Sequence, residues 1–172
     1  VSKTLTIVDV RADTVKKTLT LADGPANAVL APDGRLWVVC TGNAFGTPAT
    51  RGKIFIVNTS LLMVEDSITF TENLWGSIGM GVGGYAYVLG VAPGSFYGGP
   101  LHRISLATRS VSLKFVDGVF YGMAVDDISG DIYLADAKNF STNGEVLVFS
   151  NTGSLKKRFA AQRGPSVIAF KR

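Results

Sequence analysis

One cysteine and one histidine stand among 172 residues, and that scarcity removes two classes at once. A disulfide scaffold needs paired cysteines, and a His-rich metal site needs several imidazoles. Charge is also sparse: Asp, Glu, Lys and Arg make up 17%, whereas a disordered chain needs high charge and low hydrophobicity. No stretch repeats apolar residues at the 3.6-residue period between caps, so no helix is expected. From Asn73 to Leu101 there is no charged residue at all, a length that would span a bilayer. That stretch is broken by Gly79, Gly81, Gly83, Gly84, Pro93 and Pro100 among others, which no helix tolerates at such density. No membrane span is expected in this chain.

What is present is apolar residue, at 47%, and glycine, at 20 residues. Together they describe a Gly-punctuated β domain with enough apolar surface for a core. The net charge of +4 is scattered, apart from Lys156-Lys157-Arg158 and the terminal Lys171-Arg172. Nucleic-acid binders gather basic charge into a stripe, so no nucleic-acid partner is expected. The basic triplet reads instead as a solvated edge that discourages edge-to-edge pairing. Cys40 follows the apolar run Leu36-Trp37-Val38-Val39 and reads as a buried structural thiol.

The chain repeats itself. Short alternating strands of one flavour start at residues 4, 53, 101 and 145, a period of about 45 residues. Each is succeeded by a tight turn and a second strand: 15–21, 64–70, 111–115 and 155–159. A more buried apolar strand comes next, then Asp/Gly turn chemistry, then an aromatic-rich strand. The first case is Ala28-Val29-Leu30, Pro32-Asp33-Gly34 and Leu36-Trp37-Val38-Val39. Four short antiparallel strands at this period are the signature of β-propeller blades, whose faces are buried by stacking blade on blade. The expected fold is all-β without substantial helix: three complete four-stranded blades at about 27–70, 76–115 and 121–159, plus a split fourth. The split blade combines strands in 1–22 with an inner strand at 166–170, inside the segment 164–172. Leu30, Trp37, Ile56, Met80, Tyr87, Val125, Tyr133 and Val148 are expected in the core.

The segment Tyr121-Gly-Met-Ala-Val-Asp-Asp-Ile-Ser-Gly-Asp-Ile-Tyr-Leu-Ala-Asp136 resembles the inner-to-second hairpin of YVTN-type, YncE-like propellers. The remainder of the chain, through Glu145-Val-Leu-Val-Phe149 and Gly164-Pro-Ser-Val-Ile-Ala-Phe170, resembles the last blade of a Bacteroidetes group of such propellers. The resemblance covers nearly the whole chain. It implies an exported protein, periplasmic or at the cell surface and associated with the envelope or a surface layer, and a chain corresponding to the C-terminal half of a longer propeller. An open arc would leave apolar sheet faces in water. The chain is therefore expected to be completed by self-association or by a missing N-terminal half.

Several motifs have plainer readings than their chemistry. Gly79-x-Gly81-x-x-Gly84 matches the dinucleotide fingerprint, but that motif needs a helix after it, and here a strand comes next. His102 has no nucleophile elbow to serve and is expected at the surface or between blades. Asp126, Asp127 and Asp131 crowd one turn without EF-hand spacing. Asn58-Thr-Ser and Asn139-Phe-Ser are glycosylation sequons that carry meaning only in a eukaryotic secreted protein.

The functional signal is where long loops fall. The second-to-third-strand connections Thr41 to Gly52, Gly90 to Pro100 and Asp136 to Gly144 are long and share one face of a propeller. They carry Asn43, Phe45, Arg51, Phe96, Tyr97, Asp136, Lys138, Asn139 and Phe140. The outer-to-inner links add Trp75, Phe120, Tyr121 and Arg163. Flat aromatic area beside amide and charged groups is what saccharide or peptide recognition uses. The candidate ligand-binding residues are Asn43, Arg51, Trp75, Phe96, Tyr97, Tyr121, Asp136, Lys138, Asn139 and Arg163. The expected function is a non-enzymatic binding or scaffold module for a glycan or peptide, with no cofactor, no metal and no catalytic residue. The alternative is a metal-dependent propeller hydrolase or lyase of the lactonase kind. Its carboxylates would have to converge on the inner strands, which here offer Ala28, Val29, Ile78, Met123, Val167 and Ile168.

Overall fold

The computed structural model describes residues 2–171. Among them, fourteen strands form four antiparallel sheets and no helix is present. No helix is therefore long and apolar enough to cross a membrane. The chain divides into two compact units, one up to Gly76 and the other from Ser77 onward.

In the first unit, β1 (Thr4–Asp9) and β2 (Thr14–Thr20) form a two-stranded sheet. A four-stranded sheet comes next in chain order: β3 (Pro25–Leu30), β4 (Arg35–Cys40), β5 (Lys53–Asn58) and β6 (Met63–Thr69). The β4–β5 register sets Trp37 opposite Ile56 and Val39 opposite Ile54. Because side chains alternate across a strand, Leu36, Val38, Phe55 and Val57 take the other face. That second face packs on Leu19 and Leu21, with Leu5, Ile7 and Val64 around them. Cys40 lies in this cluster as a free, buried thiol. Trp37, Ile54 and Ile56 are wholly buried as well, so both faces of the sheet are covered; each such side chain contributes about 1.5–3 kcal/mol. The β3–β4 turn uses Gly34 at φ 80°, a conformation open to glycine without strain.

The second unit holds most of a sheet made of β7 (Leu74–Gly81), β8 (Tyr85–Gly90), β9 (Gly99–Ser105) and β10 (Val111–Phe120). Its other sheet is β11 (Gly122–Val125), β12 (Ile132–Asp136), β13 (Glu145–Phe149) and β14 (Leu155–Ala160). Ala86, Tyr87, Val88, Leu89, Leu101 and Ile104 have no exposed surface. The two sheets meet at Gly79, where an added Cβ would lie 2.9 Å from the Val125 side chain. Further out, the Arg103 guanidinium lies 4.1 Å from the Phe115 ring centre and 4.5 Å from that of Tyr85. Arg103 Nη1 also donates to the Asn151 carbonyl at 3.4 Å.

Some sequence expectations fail here, each for a reason. Ser166 to Phe170 forms no strand: its alternating residues suit a ladder, but none of the described strands pairs with it. The segment crosses β11 instead, so close that a Cβ on Gly122 would sit 1.9 Å from the Ser166 carbonyl oxygen. Leu30 is 61% exposed because it ends an edge strand at the hairpin turn. Met80, Val125 and Tyr133 are half-buried. β7 begins at Leu74, before the expected blade start at about 76, and β10 runs on to Phe120, past the expected end at 115, through two register shifts.

Candidate functional site

The necks of the long loops position what stands above them. Asn43 and Thr50 exchange backbone hydrogen bonds at 3.2 and 2.9 Å across the β4–β5 loop. Ala92 N–H donates to the Gly98 carbonyl at 3.0 Å across the β8–β9 loop. In the β12–β13 loop, Phe140 N–H reaches the Ala137 carbonyl at 3.0 Å. The first two loop tips therefore stand on closed backbone necks, and the third loop opens on a turn.

In the second unit three rings from three segments converge. Tyr97 and Phe140 lie 4.6 Å apart, Tyr121 and Phe140 5.0 Å, and Tyr97 and Tyr121 6.2 Å, all edge to face. The Tyr97 hydroxyl donates to the Lys138 carbonyl at 3.1 Å, tying the β8–β9 loop to the β12–β13 loop. Beside the rings runs a chain of alternating charge. Lys138 Nζ donates to Asp136 at 2.8 Å and to Glu145, and Arg158 donates to both oxygens of Glu145 at 3.2 Å. The hydrogen bonds that Lys138 donates to Asp136 and then Glu145 raise its pKa, and the Lys138 bond, with help from Arg158, lowers that of Glu145. Lys138 and Phe140 both take left-handed backbone conformations, at φ 53° and 60°, uncommon for residues with a Cβ. Against this wall lies an open cleft of about 430 Å³, lined by Ala92 to Tyr97, Val119, Asp136 and Lys138. Phe96 stands at its rim, 83% exposed.

Of the residues expected to bind, Phe96, Tyr97, Tyr121, Asp136 and Lys138 thus come together. Asn139 neighbours them, but its side-chain oxygen accepts three bonds at 3.0 Å within its own loop, from Ser141 and Thr142. Arg163 is exposed and joins no ion pair among the described residues. Phe120 is no link residue: it ends β10, 5% exposed, edge-on to Phe149. Glu145 was not expected in the site. It lies in register opposite Asp136, and two like charges there need a cation between them.

Asn43, Arg51 and Trp75 belong to the first unit. Asn43 Oδ1 accepts from the Phe45 N–H at 3.1 Å, a turn-forming bond. Trp75 is half-buried in β7. Arg51 Nη1 donates to Asn73 Oδ1 at 3.4 Å, while Asn73 Nδ2 donates to the Thr41 and Thr50 carbonyls at 3.1 and 3.0 Å. Close by, buried Asp23 accepts from the Thr50 hydroxyl at 2.8 Å and pairs with Lys3 at 3.2 Å. Those two partners, Thr50 first, hold its carboxyl below the ordinary value.

The remaining motifs are structural. His102 is not a surface residue: it has no exposed area, and its Nδ1 accepts from the Lys114 N–H at 3.0 Å. Burial raises the Cys40 pKa, as for an inert thiol. Asp126 serves its own turn, accepting from the Ile128 N–H at 2.9 Å and the Ser129 hydroxyl at 3.0 Å. Among the described residues, no three His, Cys, Asp or Glu side chains come together. The basic triplet lies on exposed β14, where Lys156 pairs with Asp131 at 2.6 Å.

No protein-family model matches the sequence, and no curated protein resembles it significantly. Solved structures do. The Dos1 propeller is 14% identical, with a TM-score of 0.66, over 93% of this chain and 43% of its own. The sheets are propeller blades. Kuenenia stuttgartiensis hydrazine synthase is similar at a TM-score of 0.64 and 16% identity, over 92% of this chain and 48% of its own. A quinonprotein alcohol dehydrogenase-like protein from Bacteroides thetaiotaomicron gives 0.60 at 12% identity, over 86% and 35%. Blade architecture is what these likenesses share at such identities. The chain spans less than half the length of each of these neighbours.

Proposed function

We propose that this chain is a non-catalytic propeller module that binds a saccharide in the cleft beside Phe96, Tyr97, Asp136 and Lys138. The observation that carries the reading is Phe96, an aromatic side chain left 83% exposed at the rim of a cleft. Its wall supplies both a ring and fixed polar groups. A sugar ring offers a flat face of C–H groups rimmed by hydroxyls, and an aromatic plate beside directional donors and acceptors complements both. The ion chain supports this, because it orients Lys138 and Asp136 without leaving net charge in the wall. Placement at the cell envelope rests only on the YVTN-type resemblance and is part of the proposal. So is completion by a second copy or by a further segment. The two-stranded β1–β2 sheet, half the size of the other three, supports completion.

A glycan array probed with the purified chain tests the binding reading, with Phe96→Ala as its control. Saturable binding to a neutral or acidic glycan, reduced at least tenfold by Phe96→Ala at unchanged melting temperature, is the expected result. Binding only to peptides, or glycan binding indifferent to Phe96, would overturn it.

A further inference from the structure

We infer that a second cleft, in the first unit, is an anion-binding subsite that takes a carboxylate or sulfate group through Arg51 and Lys53. The cleft measures about 350 Å³ and is lined by Lys3, Asp23, Thr50, Arg51 and Lys53, with Leu21, Ala22 and Thr69 beneath. Three cations and one carboxylate face it.

The one carboxylate is already used. Asp23 receives Lys3 on one oxygen at 3.2 Å and the Thr50 hydroxyl on the other at 2.8 Å. Arg51 and Lys53 form no ion pair with any described residue. Their surroundings differ from those of a solvated surface cation in one respect. Asn73 is pinned by two donated bonds to the Thr41 and Thr50 carbonyls, and its remaining oxygen accepts from Arg51 Nη1 at 3.4 Å. A fixed amide therefore orients the guanidinium without neutralising it. That is the arrangement an oxyanion site requires: an aimed donor fork with its charge unspent. Lys53 lies on the next strand with its ammonium 6.0 Å from the Phe55 ring centre, adding a second positive charge to the same cleft. Arg51 sits at the neck of the β4–β5 loop, immediately after the Asn43–Thr50 closure, so its backbone is held as well. A planar carboxylate or a sulfate face matches the guanidinium fork, with Lys53 supplying charge rather than direction.

The geometry also assigns roles that can be separated. Arg51 is the direct ligand, Lys53 a charge donor, and Asn73 a positioning residue.

The test is titration of the full chain with sodium sulfate and with sodium glucuronate, read by nuclear magnetic resonance of backbone amides and the Arg side-chain Nε–H. Sodium chloride at matched ionic strength is the reference. Expected is a saturable shift confined to Thr50 through Lys53 and the Arg51 Nε–H, with a dissociation constant in the millimolar range. Arg51→Ala should weaken it at least tenfold and Lys53→Met severalfold. Asn73→Ala should weaken it while leaving the Arg51 charge in place. If Asn73→Ala perturbs folding, Arg51→Lys replaces it: charge without the fork should bind less tightly than wild type. Stronger shifts with glucuronate than with sulfate identify a carboxylate ligand, and the reverse a sulfated one. Shifts spread evenly over all Lys and Arg residues, or equal affinity in Arg51→Ala, would overturn the assignment.

Discussion

His102 Nδ1 caps the backbone N–H of Lys114 at 3.0 Å. The bond repairs a break in the sheet, because the β9–β10 register jumps between Ser112 and Val116. Lys114 sits inside the jump at φ 49°, and its N–H turns to the imidazole. His102 is thus the neutral tautomer protonated on Nε2. Burial, with the nearby Lys114 charge, pushes its pKa down from 6.5 to about 4.

That depression sets a pH dependence. Between about 4 and 6.5 the unfolded imidazole holds a proton that the folded one refuses, so stability rises with pH across the window. The contribution is complete above 6.5 and is lost as pH falls toward 4. Urea midpoints at pH 4.5, 5.5 and 7 should climb for the wild type and flatten in His102→Leu. The same variant strands the Lys114 N–H, which costs about 1–3 kcal/mol at pH 7. An identical slope in both proteins would remove His102 as the cause.

Gly122→Ala should release the C-terminal segment. The Ser166 carbonyl leaves no room for a methyl group, and the edge-to-face pair of Tyr133 and Phe170 at 5.1 Å would go with it. Overpacking of this kind costs about 1–3 kcal/mol. Limited proteolysis read by mass spectrometry should show faster cleavage beyond Gly164, with the β-sheet circular dichroism signal retained.

The charge chain from Asp136 to Arg158 should matter to the loop more than to the fold. Exposed ion pairs contribute about 0–1 kcal/mol each, so Glu145→Gln should hardly move the melting temperature. Hydrogen exchange at Ser141 and Thr142 should quicken. Because Lys138 and Arg158 lower the Glu145 pKa below 4.5, the wild-type contribution is present above that value and fades as pH falls through the lowered one. A loop equally protected in Glu145→Gln would contradict this account.

Phe140 and Phe96 should separate packing from binding. Phe140→Ala removes two edge-to-face contacts, worth about 0.5–1.5 kcal/mol each, and should lower the melting temperature. Phe96→Ala should stay within about 0.5 kcal/mol of wild type, as thermal denaturation would show.

The strands were legible where both faces are buried against neighbours. Leu36 to Cys40 and Tyr85 to Leu89 are dense apolar runs between Asp/Gly turns, and each forms a second strand of its blade. The same alternation misled at Ser166 to Phe170, since strand propensity expresses itself only beside a partner. Leu30 misled in the opposite way, being apolar on an edge. In the loops, spacing was enough to bring Tyr97, Tyr121, Asp136 and Lys138 to one place. Asn73 and Glu145 were invisible because their roles depend on register and on contacts between segments distant in the chain. His102, polar and solitary, gave no sign that it was needed to satisfy a bulge.

The hydrogen-bonded necks beneath the long loops have an engineering consequence. The residues between Ala92 and Gly98, or between Asn43 and Thr50, hang from main-chain closures, the second reinforced by the Thr50 hydroxyl, which accepts from the Asn43 N–H at 2.9 Å. Swapping the tip sequence leaves those closures intact, and doubling a loop's length adds only about 0.6 kcal/mol of chain entropy. Gly98 itself is excluded, since a Cβ there would lie 2.1 Å from the Phe120 carbonyl oxygen. Each loop's specificity can be rewritten by grafting on its own sheet, with Tyr97 kept for its contacts to Tyr121, Phe140 and the Lys138 carbonyl.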